Sequence, residues 1–250
     1  MPELRTIIAA SIAHLITAFL IFVLPFAGRY RYKQLKQQLA NGDTKAKLRF
    51  YRRALAQQIV LALLVLTWRW LARVPAAKIG LVAPDSWKLS VLVLCCITAA
   101  ILVSIVRFRK TGDDKLRRAL EMAGGIVPTS PVERRLFAAF GLGAGIVEEF
   151  VCRGFLIYYL FASLSLVNPT LLVIVSSAIF GFAHLYQGRK GILLTGILGL
   201  CFAALYLSTG SLLVPVVIHV LIDLRIIWIF TPARLQSLNV AVATADIQGA

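Results

Sequence analysis

Long apolar stretches alternate with short charged ones along the chain, and that alternation limits what it can fold into. Seven such stretches cover residues 6–28, 54–72, 89–106, 136–163, 170–186, 192–207 and 211–230. About 20 apolar residues carry a helix across the hydrocarbon core of a bilayer. A backbone in that core must satisfy its own hydrogen bonds, so each stretch is expected to be a helix. The expected fold is all-α, a polytopic membrane helix bundle with about seven transmembrane helices. Hydrophobic residues make up 59% of the chain and mean hydropathy is +0.82, too apolar for a soluble domain of this size. The first stretch is too long for a signal-peptide core and lacks a clear cleavage site, so it reads as a retained helix.

A net charge of +16 invites a nucleic-acid partner, but the distribution argues against one. Residues 29–53 carry nine Lys or Arg and one acid, Asp43, and residues 107–135 carry eight against four acids. Basic residues gathered in loops between apolar segments follow the positive-inside rule. The partner implied is the lipid bilayer, with no nucleic acid. The first basic loop is expected to be solvated or to lie on anionic lipid. Seven spans put the basic loops, Arg189-Lys190 and the C-terminus on one side, so the N-terminus is expected outside and the C-terminus in the cytoplasm. The membrane expected is the inner membrane of a prokaryote. Cys95, Cys96, Cys152 and Cys201 lie in apolar runs with no CxxC pair and are expected to be buried.

Three regions are expected. Residues 1–130 hold three spans and two basic loops and carry no motif beyond their spans. Residues 131–231 form a helical core, and 232–250 a flexible cytoplasmic tail. Asn41-Gly42-Asp43 signals a turn. Trp68 and Trp70 are placed as interface anchors. Ser130-Pro131-x-Glu133 reads as a capping box with Pro at the first turn. Gly141, Gly143 and Gly145 are suited to close helix approach or to local loosening. Asn168-Pro169 and Gly188-Arg189-Lys190-Gly191 read as turns.

Charged residues inside such segments are costly and mark function. The fourth stretch holds Glu148, Glu149 and Arg153, the fifth ends near His184, and the seventh holds His219, Asp223 and Arg225. Glu149 and Arg153 are four apart and can pair on one helix face, as can His219 and Asp223. Glu148 points about 100° away from Glu149, so the two acids have different tasks. Phe180 lies four residues before His184 and is expected to pack below the site. His14 is expected to be hydrogen-bonded within the bundle, and Arg225 to snorkel towards the membrane surface. A buried Glu beside neutral imidazoles can activate water, and a second His can donate to a developing oxyanion. His184 is read nearer its helix end than Glu148 and His219, so tilt must bring the three level.

Glu148-Glu149-x-x-x-Arg153, Phe180-x-x-x-His184 and His219-x-x-x-Asp223, in that order, resemble the CPBP family of type II CAAX prenyl and bacteriocin-processing (Abi) intramembrane proteases. The Gly-Ser-Leu-Leu-Val-Pro run of residues 210–215 adds to the resemblance, which covers 133–223. It implies an intramembrane endopeptidase acting on a membrane-associated protein or peptide. Glu148 and His184 would activate water, and His219 and residue 223 would hold the oxyanion, with Glu149 and Arg153 as braces. The family often has Asn at the last position. Asp223 would have to be protonated to donate there, or else orient His219. No cofactor is expected. The alternative is zinc held by Glu148, His184 and His219 with water in the fourth position. Other readings are a non-catalytic bacteriocin-immunity or scaffold protein, and a proton or solute pathway.

Overall fold

The computed structural model describes residues 2–123 and 125–237. Among the described residues there are helices and no strand. Helix α1 runs Glu3–Ala40, α2 Ala46–Ala72, α3 Trp87–Arg109 and α4 Asp113–Ala123. Helix α5 covers 131–163 as Pro131–Glu149, the π-helical Phe150–Leu156 and Ile157–Ser163. Helices α6 (Pro169–Ala183), α7 (Gly188–Thr209) and α8 (Leu213–Ile229) complete the bundle. Helix α5 lies at the centre, between α2 and α8, while α6 packs along α7 and α3 along α8.

The outside of the bundle is apolar. Leu15, Phe22, Val167 and Leu193 are among many large side chains more than 60% exposed. Water would not tolerate such a surface, and a bilayer does. Four helical stretches are long and apolar enough to cross: Glu3–Ala40, Ala46–Ala72, Trp87–Arg109 and Leu185–Thr209. Of the other three expected spans, α5 carries charges, and α6 and α8 are apolar but only 15 and 17 residues long.

The first basic loop is mostly helix. Helix α1 continues through Arg29 to Ala40, and α2 begins at Ala46, so a helical hairpin carries the charge. Lys, Arg, Gln and Leu are good helix formers, and a basic run made of them extends a helix out of the membrane. The turn falls at Asn41-Gly42-Asp43, with Gly42 at φ 77°. The second basic loop contains α4, whose Leu116 is fully buried against a cluster with Ile101, Ile105 and Ile229. Helix α1 has a π-helical turn at Phe19–Val23, just before Pro25. Proline has no N–H for the preceding turn, and the wider turn accommodates that loss.

Other local expectations divide. The Ser130–Glu133 capping box forms with Pro131 at the first turn. Asn168 caps α6, accepting from the N–H of Thr170 (2.9 Å) and Leu171 (3.2 Å). The expected turn at 188–191 instead begins α7, and the chain turns at His184–Gln187. Trp68 is a core residue, edge-on to Phe155 at 4.8 Å between centroids, while Trp70 is exposed with Arg5 over its ring. Cys152 is buried, but Cys95, Cys96 and Cys201 face outward from the bundle. Residues 232–237 are helical, with Arg234 donating to the carbonyls of Phe108 (2.9 Å) and Thr111 (2.7 Å). The rest of the expected flexible tail, 238–250, lies outside the described residues.

Candidate functional site

The site begins with a close approach of two backbones. A Cβ on Gly145 would lie 2.8 Å from the backbone nitrogen of Val220, so only glycine lets α5 and α8 meet there. That contact sets Glu149, one turn along α5, against His219 on α8. Gly143 faces the other way, where a Cβ would strike the side-chain oxygen of Gln58 on α2. The glycines therefore serve packing. The loosening of α5 comes after the acids, in the π-helical segment, whose seven residues are all buried.

Glu149 and Arg153 are both fully buried. Arg153 Nη1 donates to Glu149 Oε1 at 3.0 Å, and its Nη2 to the Gly199 carbonyl on α7 at 3.1 Å. The same Oε1 accepts from Nδ1 of His219 at 2.7 Å. Glu149 thus does more than brace α5. It anchors one ring nitrogen of His219 and leaves the other, Nε2, facing Glu148.

Glu148 points away from this pair, as the 100° offset requires, and its side chain is 32% exposed. Its Oε2 lies 3.8 Å from His184 Nε2 and 4.0 Å from His219 Nε2. These separations exceed a direct hydrogen bond and suit one bridging water. His184 sits in the turn after α6, and its Nδ1 donates to the Phe180 carbonyl at 2.8 Å. Its Nε2 is therefore the free nitrogen, and it faces Glu148. The three side chains come together although His184 lies just past the end of α6, which stops at Ala183.

Aromatic rings form the floor. The Phe180 ring is 4.8 Å from that of His184 and 6.1 Å from that of His219, and the Arg153 guanidinium lies over it at 4.3 Å. Phe202 on α7 stacks on His219 at 5.2 Å, a contact no sequence motif signalled. Asp223 Oδ2 is 3.7 Å from His219 Nε2. Glu149 occupies Nδ1 of the His219 ring, and Asp223 lies on its Nε2 side. His14 lies elsewhere, bonded to the Tyr159 hydroxyl at 2.6 Å.

Glu148 and His184 open onto a partly enclosed cavity of about 150 Å³. Its wall includes Val147, Cys152 and Phe140 from α5 and Ile179 from α6. Helices α1 and α2 supply the rest, with Leu20, Leu24 and Leu61 at the apolar end and Arg31, Gln34, Gln57 and Arg53 at the polar end. The first two helices, which carry no motif, therefore build half of the chamber.

Residues 132–225 match the family model described as type II CAAX prenyl endopeptidase, Rce1-like. The match supports CPBP family membership. No curated protein and no solved structure matches the chain. The matched segment contains Glu148, Glu149, Arg153, Phe180, His184, His219 and Asp223. It ends before residue 226, and it leaves the α1 and α2 walls of the cavity outside. Among the described residues, no group of three or more His, Cys, Asp or Glu side chains is arranged to hold a metal ion.

Proposed function

We propose that the chain is an intramembrane endopeptidase that hydrolyses a peptide bond with water activated by Glu148 and His184. Supporting this is one observation: a partly exposed carboxylate faces two imidazole nitrogens whose ring partners are each tied down, Nδ1 of His184 by Phe180 and Nδ1 of His219 by Glu149. Water held between Glu148 Oε2 and His184 Nε2 gives its proton to Glu148 and attacks the scissile carbonyl carbon. The carbonyl oxygen becomes an oxyanion facing His219 Nε2. With both ring nitrogens protonated, His219 donates to Glu149 and to the oxyanion together. The tetrahedral intermediate collapses, the C–N bond breaks, and Glu148 returns the proton to the leaving amine.

Asp223 lies beside the same nitrogen. It stabilises the cationic ring when ionised, or donates to the oxyanion when protonated. The substrate is a protein or peptide reaching the cavity from the membrane. The positive-inside rule places the basic hairpin, and with it the cavity mouth, in the cytoplasm, the N-terminus outside and the C-terminus inside. The membrane is the inner membrane of a prokaryote.

A fluorogenic peptide library in detergent or liposomes tests the reading, comparing wild type with Glu148→Ala, each with and without a strong chelator. Activity lost in the variant and kept with chelator is expected. Activity lost with chelator would move the assignment to zinc on Glu148, His184 and His219. A Glu148→Ala protein that still cleaves would sink the mechanism.

A further inference from the structure

The ends of α1, α2 and α5 farthest from Glu148 enclose a second cavity, of about 360 Å³. It uses residues 5–13 of α1, 68–74 at the end of α2 and 158–163 of α5. The Glu148 cavity draws on the other ends of these helices, from Leu20 onward in α1 and up to Leu61 in α2. The second cavity takes no part in the chemistry above, and its α1 and α2 walls lie outside the matched segment. Ala9, Ala10 and Ala13 line it together with Trp68 and Tyr158. Small side chains beside broad rings leave an apolar slot. Arg5, near the start of α1, and Arg73, just past the end of α2, line it too, and among the described residues no Asp or Glu does.

One carbonyl holds the two arginines together. Arg5 donates its Nη2 to the Trp70 oxygen and its Nε to the Leu71 oxygen at 2.8 Å. The Arg73 N–H donates to the same Trp70 oxygen at 3.4 Å. Two donors on one oxygen put the Arg5 guanidinium within about 6 Å of the Arg73 backbone. Capping the last carbonyls of α2 accounts for Arg5, and it uses two of that side chain's five N–H groups. It does not account for Arg73. That residue ends α2 at φ 54°, a left-handed conformation in which glycine is the usual residue. Its side chain is exposed and has no ion-pair partner among the described residues. An arginine kept where glycine would relax the backbone points to a task for its charge.

Depth names the anion. Arg5 and Arg29 are 24 residues apart in the continuous helix α1. At 1.5 Å per residue they are ~36 Å apart. That lies between the ~30 Å hydrocarbon core of a bilayer and the ~40–45 Å that includes its headgroups. With Arg29 at the headgroups of one leaflet, Arg5 reaches those of the other, where phosphates lie. Leu4 and Ile7, next to it along α1, are both 62% exposed, as suits contact with lipid. A soluble anion would meet the arginines and leave the apolar slot unused. A phospholipid matches both. Two cations with no acid beside them favour a lipid of net negative charge over a zwitterion.

We propose that this cavity binds one anionic phospholipid from the leaflet on the Arg5 side, its phosphate between Arg5 and Arg73 and an acyl chain along Ala9, Ala10 and Ala13. The site depends neither on the protease reading nor on which face is cytoplasmic.

Binding is measured on the full chain in detergent, with Trp70→Phe, Trp87→Phe and Trp228→Phe so that Trp68 alone emits. The probes are phosphatidylglycerol and phosphatidylcholine with brominated acyl chains, which quench an indole they touch. Phosphatidylglycerol is expected to reach half-quenching at about tenfold lower concentration than phosphatidylcholine. Arg73→Gly is expected to erase that preference without lowering the thermal midpoint, since it relaxes the end of α2. Arg73→Lys, which keeps the charge, is expected to retain it. Ala10→Phe fills the slot from an exposed position and is expected to abolish quenching by both lipids.

Equal quenching by the two lipids overturns the site. So does a preference that survives Arg73→Gly or is lost in Arg73→Lys. Quenching that survives Ala10→Phe would take the acyl chain out of the slot and overturn it too. Glycerol phosphate displacing the lipid at equal concentration would assign the arginines to a soluble anion instead.

Discussion

Glu149 Oε1 receives two hydrogen bonds from opposite directions, from Arg153 at 3.0 Å and from His219 Nδ1 at 2.7 Å. The buried ion pair of α5 is thereby also the support of the imidazole on α8. Removing one member of a buried pair leaves the other charge unpaired, at a cost of about 3–5 kcal/mol. Glu149→Ala is expected to lower stability by that amount and to abolish turnover. The double change Glu149→Leu with Arg153→Leu is expected to recover much of the stability and none of the activity. Thermal unfolding and peptide cleavage on the same samples separate the two effects, and a double variant that regains turnover would remove Glu149 from the support of His219.

Glu148 is partly exposed to the cavity and has no ion-pair partner besides the two histidines among the described residues. Glu148→Gln should therefore leave thermal unfolding nearly unchanged. Its turnover is expected to fall by about 10²–10⁴, the usual weight of a general base. A clear loss of stability would instead mark Glu148 as part of a structural network.

Asp223→Asn replaces a carboxylate with an amide of the same shape that can donate a hydrogen bond whatever the pH. The variant is expected to keep kcat within about tenfold of wild type, a shift of under ~1.4 kcal/mol. Asp223→Leu is expected to lose far more. If Asn and Leu lose activity alike, the negative charge of Asp223 matters and its hydrogen bonding does not.

Gly145→Ala puts a methyl carbon within 2.8 Å of the Val220 backbone nitrogen, and backbone does not yield cheaply. Overpacking of this kind costs about 1–3 kcal/mol. It should also reduce activity by moving His219 off Glu149. Gly188→Ala, where no atom crowds the added carbon, serves as a comparison for open space, although its backbone sits at φ +76°.

Glu133 lies at the start of α5, before the apolar stretch begins. Burial opposes its ionisation, but the N–H and hydroxyl of Thr129, the Lys47 ammonium and the Ser130 N–H outweigh that and hold its carboxyl below the ordinary 4.5. A carboxyl held lower in the folded state adds stability that is full above the unfolded value and is lost as pH falls through the folded one. Wild type should therefore lose thermal stability on acidification below about pH 4.5 more steeply than Glu133→Gln. Parallel pH profiles for the two proteins would contradict the capping role.

Much of the site was legible because α-helical spacing is rigid. Four-residue offsets put Glu149 with Arg153, and the capping box at Ser130–Glu133 announced the start of α5. The chain could not announce its π-helical turn at 150–156, since that depends on how buried side chains from neighbouring helices fit together. Trp68 and Trp70 make the same point, as equal residues two apart were divided between core and surface by the helix packed against one of them.

By itself the sequence determined that this chain is an all-helical membrane bundle and which side chains are costly to place inside it. Hydrophobic length and charge placement are properties of segments, and no partner is needed to read them. Only the tertiary structure decided that Glu149 holds His219, that Phe202 stacks on it, and that α1 and α2 wall the cavity. Those facts arise between helices far apart in sequence, where close packing at Gly145 and the turn at His184 set distances that no local spacing encodes.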